Sequence, residues 1–134
     1  IYFELQDHID ILKIENIHIL RIEQLYPFPY NTLEKKIKKF SDCEIVWCQE
    51  EPKNMGPWSF VKSRIQVVLK QIQFKQLHIP FVGRSAAASP ATGVFDRHLA
   101  NQKNILRLAI EANMKEIEEH KEGVSLVKYK LPIE

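Results

Sequence analysis

Polar side chains follow directly after an apolar run near the middle of the chain. Residues 45–48 read Ile-Val-Trp-Cys, and Glu50, Glu51, Lys53 and Asn54 come immediately afterwards. In open α/β sheets, ligands and neighbouring domains meet the carboxyl ends of the strands. We therefore interpret these polar residues as candidates for an interface or a binding site. The alternative is an ordinary strand-to-helix turn that carries solvated glutamates.

A second candidate loop covers residues 83–93, with the sequence GRSAAASPATG. Arg84 would stand at the end of a strand, where its planar guanidinium can meet a carboxylate or a phosphate. The loop has neither the G-x-G-x-x-G spacing of a dinucleotide-binding turn nor the G-K-[ST] ending of a phosphate-binding loop. The alternative interpretation is a small-residue connector that lets the last helix pack closely.

The sequence offers no arrangement typical of catalysis or metal binding. The five histidines are scattered, and no serine or cysteine lies in a motif with one of them. Cys43 and Cys48 would point to opposite faces of one strand because their separation is odd, which disfavours a disulfide between them. A reducing compartment suits that usage. We therefore predict no catalytic, cofactor-binding or metal-binding residue in this chain.

Composition narrows the class of protein. The 134 residues are enough for one domain, and the hydrophobic fraction of 45% and charged fraction of 27% are ordinary for a globular chain. A net charge of +2 is too small to favour nucleic acid or a membrane surface as a partner. No apolar run approaches the roughly 18 residues that a membrane span needs.

Hydrophobic periodicity predicts alternating helices and strands. The elements, in chain order, are a helix to residue 13, a strand at 17–22, a helix at 33–40 capped by Asn31 or Thr32, a strand at 44–49, a helix at 57–71, a strand at 77–82 and a helix at 94–120. This alternation predicts a three-layer α/β fold, with a mostly parallel sheet and helices on both faces. Val46 and Trp47 should then be largely buried.

The chain opens in the middle of a helical pattern, at Ile1, with no initiating methionine. Because strands and helices alternate in such folds, a strand should precede this helix. We therefore expect a fragment of a longer protein whose first strand is missing. The strand beside the gap would expose unpaired backbone groups, unless another copy of the chain covers them.

Three segments together resemble one enzyme family, the decarboxylase component of 2-oxoglutarate dehydrogenase. Residues 21–29 are similar to its "RIEQLYPFP" segment, residues 47–58 to "WCQEEPxNxGxW" and residues 83–93 to "GRPASASPATG". The resemblance implies that residues 1–112 form a transketolase C-terminal-like domain, whose first strand in the family ends in Ser-Gly-Lys just before the position of Ile1. Ser85 departs from the usual proline. Residues 113–134 would be a C-terminal helical extension and tail.

The resemblance implies more for the parent enzyme than for this chain. The parent decarboxylates 2-oxoglutarate in the tricarboxylic acid cycle, using thiamine diphosphate and Mg²⁺ that are bound by upstream domains. Its partners would be those upstream domains, a second copy in a homodimer and the dihydrolipoyl succinyltransferase. The implied location is the bacterial cytoplasm or the mitochondrial matrix. This chain would be a structural and assembly domain without a cofactor, and inactive alone.

Two other functions are weighed beside this one. The chain could be a regulatory module that binds an acyl-CoA or nucleotide effector, with Arg21, Lys53 and Arg84 contacting its phosphates. An independent small enzyme is disfavoured by the missing catalytic constellation. For the assembly function, we expect a converging group of strand-end residues, in which Arg84 pairs with a glutamate if it is not exposed. The group consists of Glu50, Glu51, Asn54, Arg84 and Ser89.

Overall fold

The computed structural model describes residues 1–40 and 42–111. Its elements, in chain order, are α1 (Tyr2–Leu12), α2 (Tyr30–Ile37), β1 (Trp47–Pro52), α3 (Trp58–Gln71), β2 (Phe81–Arg84) and α4 (Phe95–Glu111). No helix within the described ranges is long and apolar enough to cross a membrane.

The two strands form a parallel pair. Trp47 lies opposite Phe81 and Cys48 opposite Val82, and the register then shifts before Pro52 meets Arg84. Parallel strands need a crossover connection, which here contains α3. Helices together with a parallel sheet confirm the predicted α/β class.

Apolar side chains form two separate clusters around this sheet. The first is built mainly from α2 and α3, and its buried members are Phe28, Leu33, Ile37, Trp58, Val61, Ile65, Val68, Leu69 and Ile79. The second joins α1 and α4 through Leu5, Ile9, Leu106 and Ile110. Trp47 packs against the first cluster and its neighbour Cys48 against the second, because successive strand side chains point to opposite faces.

The prediction of a strand at residues 17–22 is wrong, because this segment is not part of a sheet. Its side chains nevertheless alternate: Ile17 and Ile19 pack against the second cluster, and Ile22 packs against the first. Such alternation is typical of a strand. What the segment lacks, within the described residues, is a neighbouring strand to accept and donate its backbone hydrogen bonds.

The predicted strand boundaries also shift toward the carboxyl end. The side-chain amide of Gln76 accepts a hydrogen bond from the Ile45 N–H at 2.7 Å and donates one to the Ile45 carbonyl at 3.0 Å. Because these backbone groups are already paired, β1 begins only at Trp47. Strand β2 begins after Pro80, which has no N–H to donate but accepts a 3.0 Å hydrogen bond from the Trp47 amide.

The predicted helices are found with different ends. Helix α2 begins at Tyr30 after Pro29, so neither Asn31 nor Thr32 caps it as predicted. A proline ahead of the first turn already sets a suitable φ and has no N–H to satisfy. Helix α4 is described to Glu111, and the predicted remainder of that helix and the tail at 113–134 lie outside the described residues.

Val46 and Trp47, which were expected to be largely buried, lie between the buried and the exposed residues. The ring of Trp47 does reach the core and stacks on Trp58, with the ring centres 6.5 Å apart. On the side away from β2, no strand among the described residues pairs with β1.

Helix α3 offers a matched pair of valines for measuring the core. Val68 is 1% exposed in the first cluster, whereas its neighbour Val67 is 51% exposed. Val68→Ala should lower the free energy of unfolding by about 1–3 kcal/mol, through lost burial and the remaining cavity. Val67→Ala should change it by less than about 0.5 kcal/mol. Urea denaturation measures both, and equal effects would contradict the assigned inner face of α3.

Candidate functional site

The carboxyl ends of β1 and β2 are joined by hydrogen bonds that centre on Arg84. Its Nε donates to the backbone oxygen of Glu50 at 2.6 Å, and its Nη2 donates to the backbone oxygen of Pro90 at 2.6 Å. The backbone oxygen of Arg84 in turn accepts from the Lys53 amide at 2.9 Å. One guanidinium thus joins the end of β1 to the loop after β2.

Asn54 makes a second connection, between the turn after β1 and the loop after β2. Its side-chain Nδ2 donates to the oxygen of Ala87 at 2.9 Å, and its Oδ1 accepts from the Ala87 amide at 3.0 Å. This two-way pairing imitates a strand ladder at the point where the strands have ended. The small-residue connector is therefore fixed at two places and is not a loose linker.

Arg84 does not bond to the Glu50 carboxylate, contrary to the expected Glu–Arg pair. Glu50 Oε1 instead accepts from Gln102 of α4 at 2.7 Å and lies 3.1 Å from the amino nitrogen of Ile1. Burial alone would raise the pKa of Glu50, but the hydrogen bonds from Gln102 and the Ile1 amino group outweigh it and hold this pKa below its ordinary value.

The side chains of the remaining predicted site residues make other contacts or are exposed. Glu51 is exposed, and Ser89 makes a local 2.7 Å hydrogen bond to the oxygen of Ala91. The Nζ of Lys53 lies 5.9 Å from the ring centre of Phe81. Arg21 pairs with Glu23 and lies 4.4 Å over the ring of Tyr2.

Five of the seven predicted residues therefore fall into two contact groups, and Glu51 and Ser89 belong to neither. Glu50, Asn54 and Arg84 are joined through the two loops, together with the backbone of Lys53. Arg21 belongs to a separate group with Glu23 and Tyr2.

Gln49 was missed by the sequence reasoning, although it is a buried polar side chain with 4% exposure. Its Nε2 donates to the backbone oxygens of Met55, Pro52 and Glu51, at 2.8 Å, 3.2 Å and 3.3 Å. Its Oε1 accepts from the indole nitrogen of Trp47 at 2.8 Å. The signal in the sequence was the position of this amide between a buried apolar run and two glutamates. The carbonyl groups of a turn at that point need a hydrogen-bond donor.

Two glycines allow the backbone to approach this amide closely. A Cβ at Gly83 would lie 2.9 Å from the backbone oxygen of Gln49 and 2.6 Å from the ring of Phe81. Gly56 has a φ of 66°, and a Cβ there would lie 3.1 Å from the Nε2 of Gln49. The positive φ alone favours glycine at that position.

The cysteines are free and poorly suited to nucleophilic chemistry. Burial raises the pKa of the Cys48 thiol to about 12, and it also raises the pKa of Cys43. A thiol protonated at neutral pH is a weak nucleophile. In the part of the chain that the structure describes, no group of three or more His, Cys, Asp or Glu side chains could hold a metal ion.

These contacts define a small α/β domain whose strand-end loops are fastened to each other and present carboxylates at the surface. A family model described as 2-oxoglutarate dehydrogenase C-terminal matches residues 1–110, and the chain belongs to that family. The resemblance of the three sequence motifs is thereby confirmed.

Curated relatives agree with the family assignment. The chain is 44% identical over 110 residues to proteins named "2-oxoglutarate dehydrogenase E1 component" in Brucella anthropi, Brucella ovis and Brucella suis. The match covers 82% of this chain and 11% of each relative. The chain therefore corresponds to a small C-terminal part of those enzymes.

Gly83 and Gly93 give a matched test of the close approach. Gly83→Ala should lower the free energy of unfolding by about 1–3 kcal/mol, because the new methyl group overlaps backbone that cannot easily move. Gly93→Ala should be near neutral, since nothing lies within 4 Å of a Cβ there. Thermal or urea unfolding measures both. A neutral Gly83→Ala would contradict the packing of β2 against Gln49.

Gln49 can be tested by removing its donors while keeping its bulk. Gln49→Leu leaves the carbonyls of Met55, Pro52 and Glu51 without their partner, and should cost about 1–3 kcal/mol of stability. Gln71→Leu, at the exposed end of α3, is the control and should change stability by less than about 0.5 kcal/mol. If urea unfolding gives equal values for the two, Gln49 does not hold the turn.

Proposed function

We propose that the chain acts as an assembly domain at the C-terminus of a 2-oxoglutarate dehydrogenase E1 component. The observation that carries this proposal is the fastening of the strand-end loops by Arg84 and Asn54. A surface held by the backbone of its own loops is preorganised, so that little ordering entropy is lost when it docks. The exposed carboxylate of Glu51 is placed to meet donors of a neighbouring domain, whereas that of Glu50 is already held by Gln102 and the Ile1 amino group.

The finer architecture that we propose is the three-layer, transketolase C-terminal-like fold. Helices α1 and α4 share one apolar cluster and α2 and α3 share the other. Adjacent side chains of β1 enter different clusters, which supports a sheet between two helical layers. In the complete fold the sheet would have further parallel strands.

Thiamine diphosphate and Mg²⁺ would belong to the rest of the enzyme. Mg²⁺ prefers several carboxylate and water oxygens in octahedral geometry. At the strand ends the Glu50 carboxylate is held by Gln102 and the Ile1 amino nitrogen, and the fork of Arg84 points at carbonyls. These residues do not fit either group, and we derive no catalytic step from this chain.

The proposed partners follow from the parent enzyme. They are its upstream domains, a second E1 copy in a homodimer and the dihydrolipoyl succinyltransferase of the multienzyme complex, which oxidatively decarboxylates 2-oxoglutarate in the tricarboxylic acid cycle. The proposed location is the bacterial cytoplasm or the mitochondrial matrix. Neither nucleic acid nor a membrane is proposed as a partner.

The regulatory alternative is less well supported by the geometry. Two of the guanidinium nitrogens of Arg84 already donate to carbonyls, and Arg21 is engaged with Glu23. A phosphate would have to displace these contacts. A thermal-shift titration with acetyl-CoA and with AMP separates the two functions, because an effector module gains stability as its ligand concentration rises.

The absence of catalysis in the chain alone can be measured directly. Purified protein should neither decarboxylate 2-oxoglutarate nor bind thiamine diphosphate with Mg²⁺, because the described residues offer no site for them. Isothermal titration calorimetry is the measurement for binding, and the Brucella anthropi relative serves as the positive control. Micromolar cofactor binding by this chain would contradict the assembly function.

Assembly itself is tested by supplying the chain to a shortened relative. The Brucella anthropi protein would be expressed without its matching 110-residue segment, together with this chain. We expect the two to co-purify, and Glu51→Lys to weaken the complex without changing the melting temperature of the chain alone. Failure of the unmodified pair to co-purify would count against the proposal.

A further inference from the structure

The last turn of α2 is strongly basic. Residues 35–39 read Lys-Lys-Ile-Lys-Lys, and all four lysines are exposed, whereas Ile37 between them is 2% exposed in the first apolar cluster. Lys38 pairs with Glu34, with 2.6 Å between Nζ and Oε1. No carboxylate among the described residues lies within ion-pair distance of the other three lysines.

The end of α3 lies beside this turn, at one edge of the sheet. Each of the two helices leads into a strand, α2 into β1 and α3 into β2. Because the strands are parallel, both helices end at the amino edge of the sheet, opposite the loops that hold Arg84 and Asn54. Lys75, which follows α3, pairs with Asp42, which follows α2, at a distance of 3.3 Å. The two helix ends therefore form one surface.

A pocket of about 290 Å³ lies between the two helix ends. Its floor is apolar and consists of Ile37, Ile72 and Phe74. Lys38 and Lys75 line its rim, and each already holds a carboxylate of the chain itself, from Glu34 and Asp42. The pair of Lys75 and Asp42 is exposed on both sides, and such pairs contribute little to stability. A carboxylate from another molecule can therefore replace Asp42 at low cost.

The charge at this edge differs from that of the rest of the chain. Residues 34–42 and 70–75 contain six lysines against two carboxylates, which gives a local charge of +4. The whole chain carries +2, so the remainder carries −2. Charges within about 8–10 Å of each other act jointly at physiological salt. A lysine in the last turn of a helix complements the helix dipole, but six lysines at two helix ends exceed that need.

We propose that the ends of α2 and α3 form a docking surface for an acidic peptide segment of a partner protein, with one apolar side chain between its carboxylates. The apolar side chain would cover the floor of the pocket, and the carboxylates would pair with Lys36, Lys39 and Lys75. An apolar floor favours a peptide over a phosphate chain, which would leave the floor uncovered. The two stretches also contain no arginine, whose planar fork suits phosphate. This inference does not rest on the proposed function.

The probe is a fluorescent synthetic peptide in which two glutamates stand on each side of one phenylalanine, with both ends capped. Fluorescence anisotropy should show saturable binding to the 134-residue chain that weakens as salt is added. A control peptide with glutamine in place of each glutamate should not bind. A second control with alanine in place of phenylalanine should bind about tenfold more weakly, because it leaves the apolar floor exposed.

Charge reversal identifies the surface that binds. The double variant Lys36→Glu, Lys39→Glu should weaken binding by about tenfold or more, through lost attraction and new repulsion. The matched control is Arg97→Glu, Lys103→Glu, which changes the net charge equally at exposed positions of α4 and should change affinity less than about twofold. Lys36→Gln, Lys39→Gln serves as the second variant if the glutamates unfold α2, and should weaken binding in the same direction.

Hydrogen exchange gives an independent location. The amides of residues 36–40 and 72–75 should become protected by the peptide, whereas those of Asn54 and Ala87 at the opposite edge should not change. Protection at Asn54 and Ala87 alone would move the peptide to the strand-end loops and contradict the proposal.

Other outcomes would also overturn the proposal. Equal weakening by the α4 control variant would show that the peptide follows net charge and has no defined site. Equal binding of the glutamine peptide would show simple apolar adhesion. Displacement of the peptide by tripolyphosphate at a lower concentration than unlabelled peptide would assign the lysines to a phosphate chain. Absence of saturable binding at low salt would reject the surface.

Discussion

The turn between β1 and α3 depends on one buried amide. Gln49 donates to three backbone carbonyls of that turn and accepts from the Trp47 indole, so a single side chain sets both the direction of the chain and the rotamer of a core aromatic. A buried donor shared in this way is favourable only while every acceptor stays in place. The backbone of Gln49 also fixes the neighbouring strand, because Gly83 packs against its carbonyl oxygen.

The candidate site inherits its geometry from this constraint. Since Gln49 fixes where the backbone of Glu50 points, the carbonyl that receives the Nε of Arg84 is presented in a defined position. Asn54 lies in the same turn and reaches Ala87 from there. The buried side chain inside the turn thus determines the arrangement of the surface at the strand ends. Arg84 and Asn54, which the sequence singles out, are therefore positioned by Gln49, which it does not.

The sequence predicted some of these features and missed others for physical reasons. Helix α3 and the parallel pairing of two strands follow from periodicity and from the breakers at 52–57, which are local signals. The role of Gln49 and the Asn54–Ala87 pairing depend on how two loops distant in sequence close on each other. No local pattern contains that information. The sequence correctly places Arg84 at the end of a strand. Its partners are backbone carbonyls, which every residue has, so the sequence cannot identify them.

Two differences between the sequence predictions and the structure share one cause. Val46 and Trp47 were expected to be buried and residues 17–22 to be a strand, and both expectations came from patterns that evolve in a complete parallel sheet. In the structure Val46 and Trp47 are half-buried and the 17–22 segment is unpaired, and all of them line one apolar groove. Both patterns are typical of strands that are paired on each side, and both expectations fall short where the described residues supply no strand to pair with.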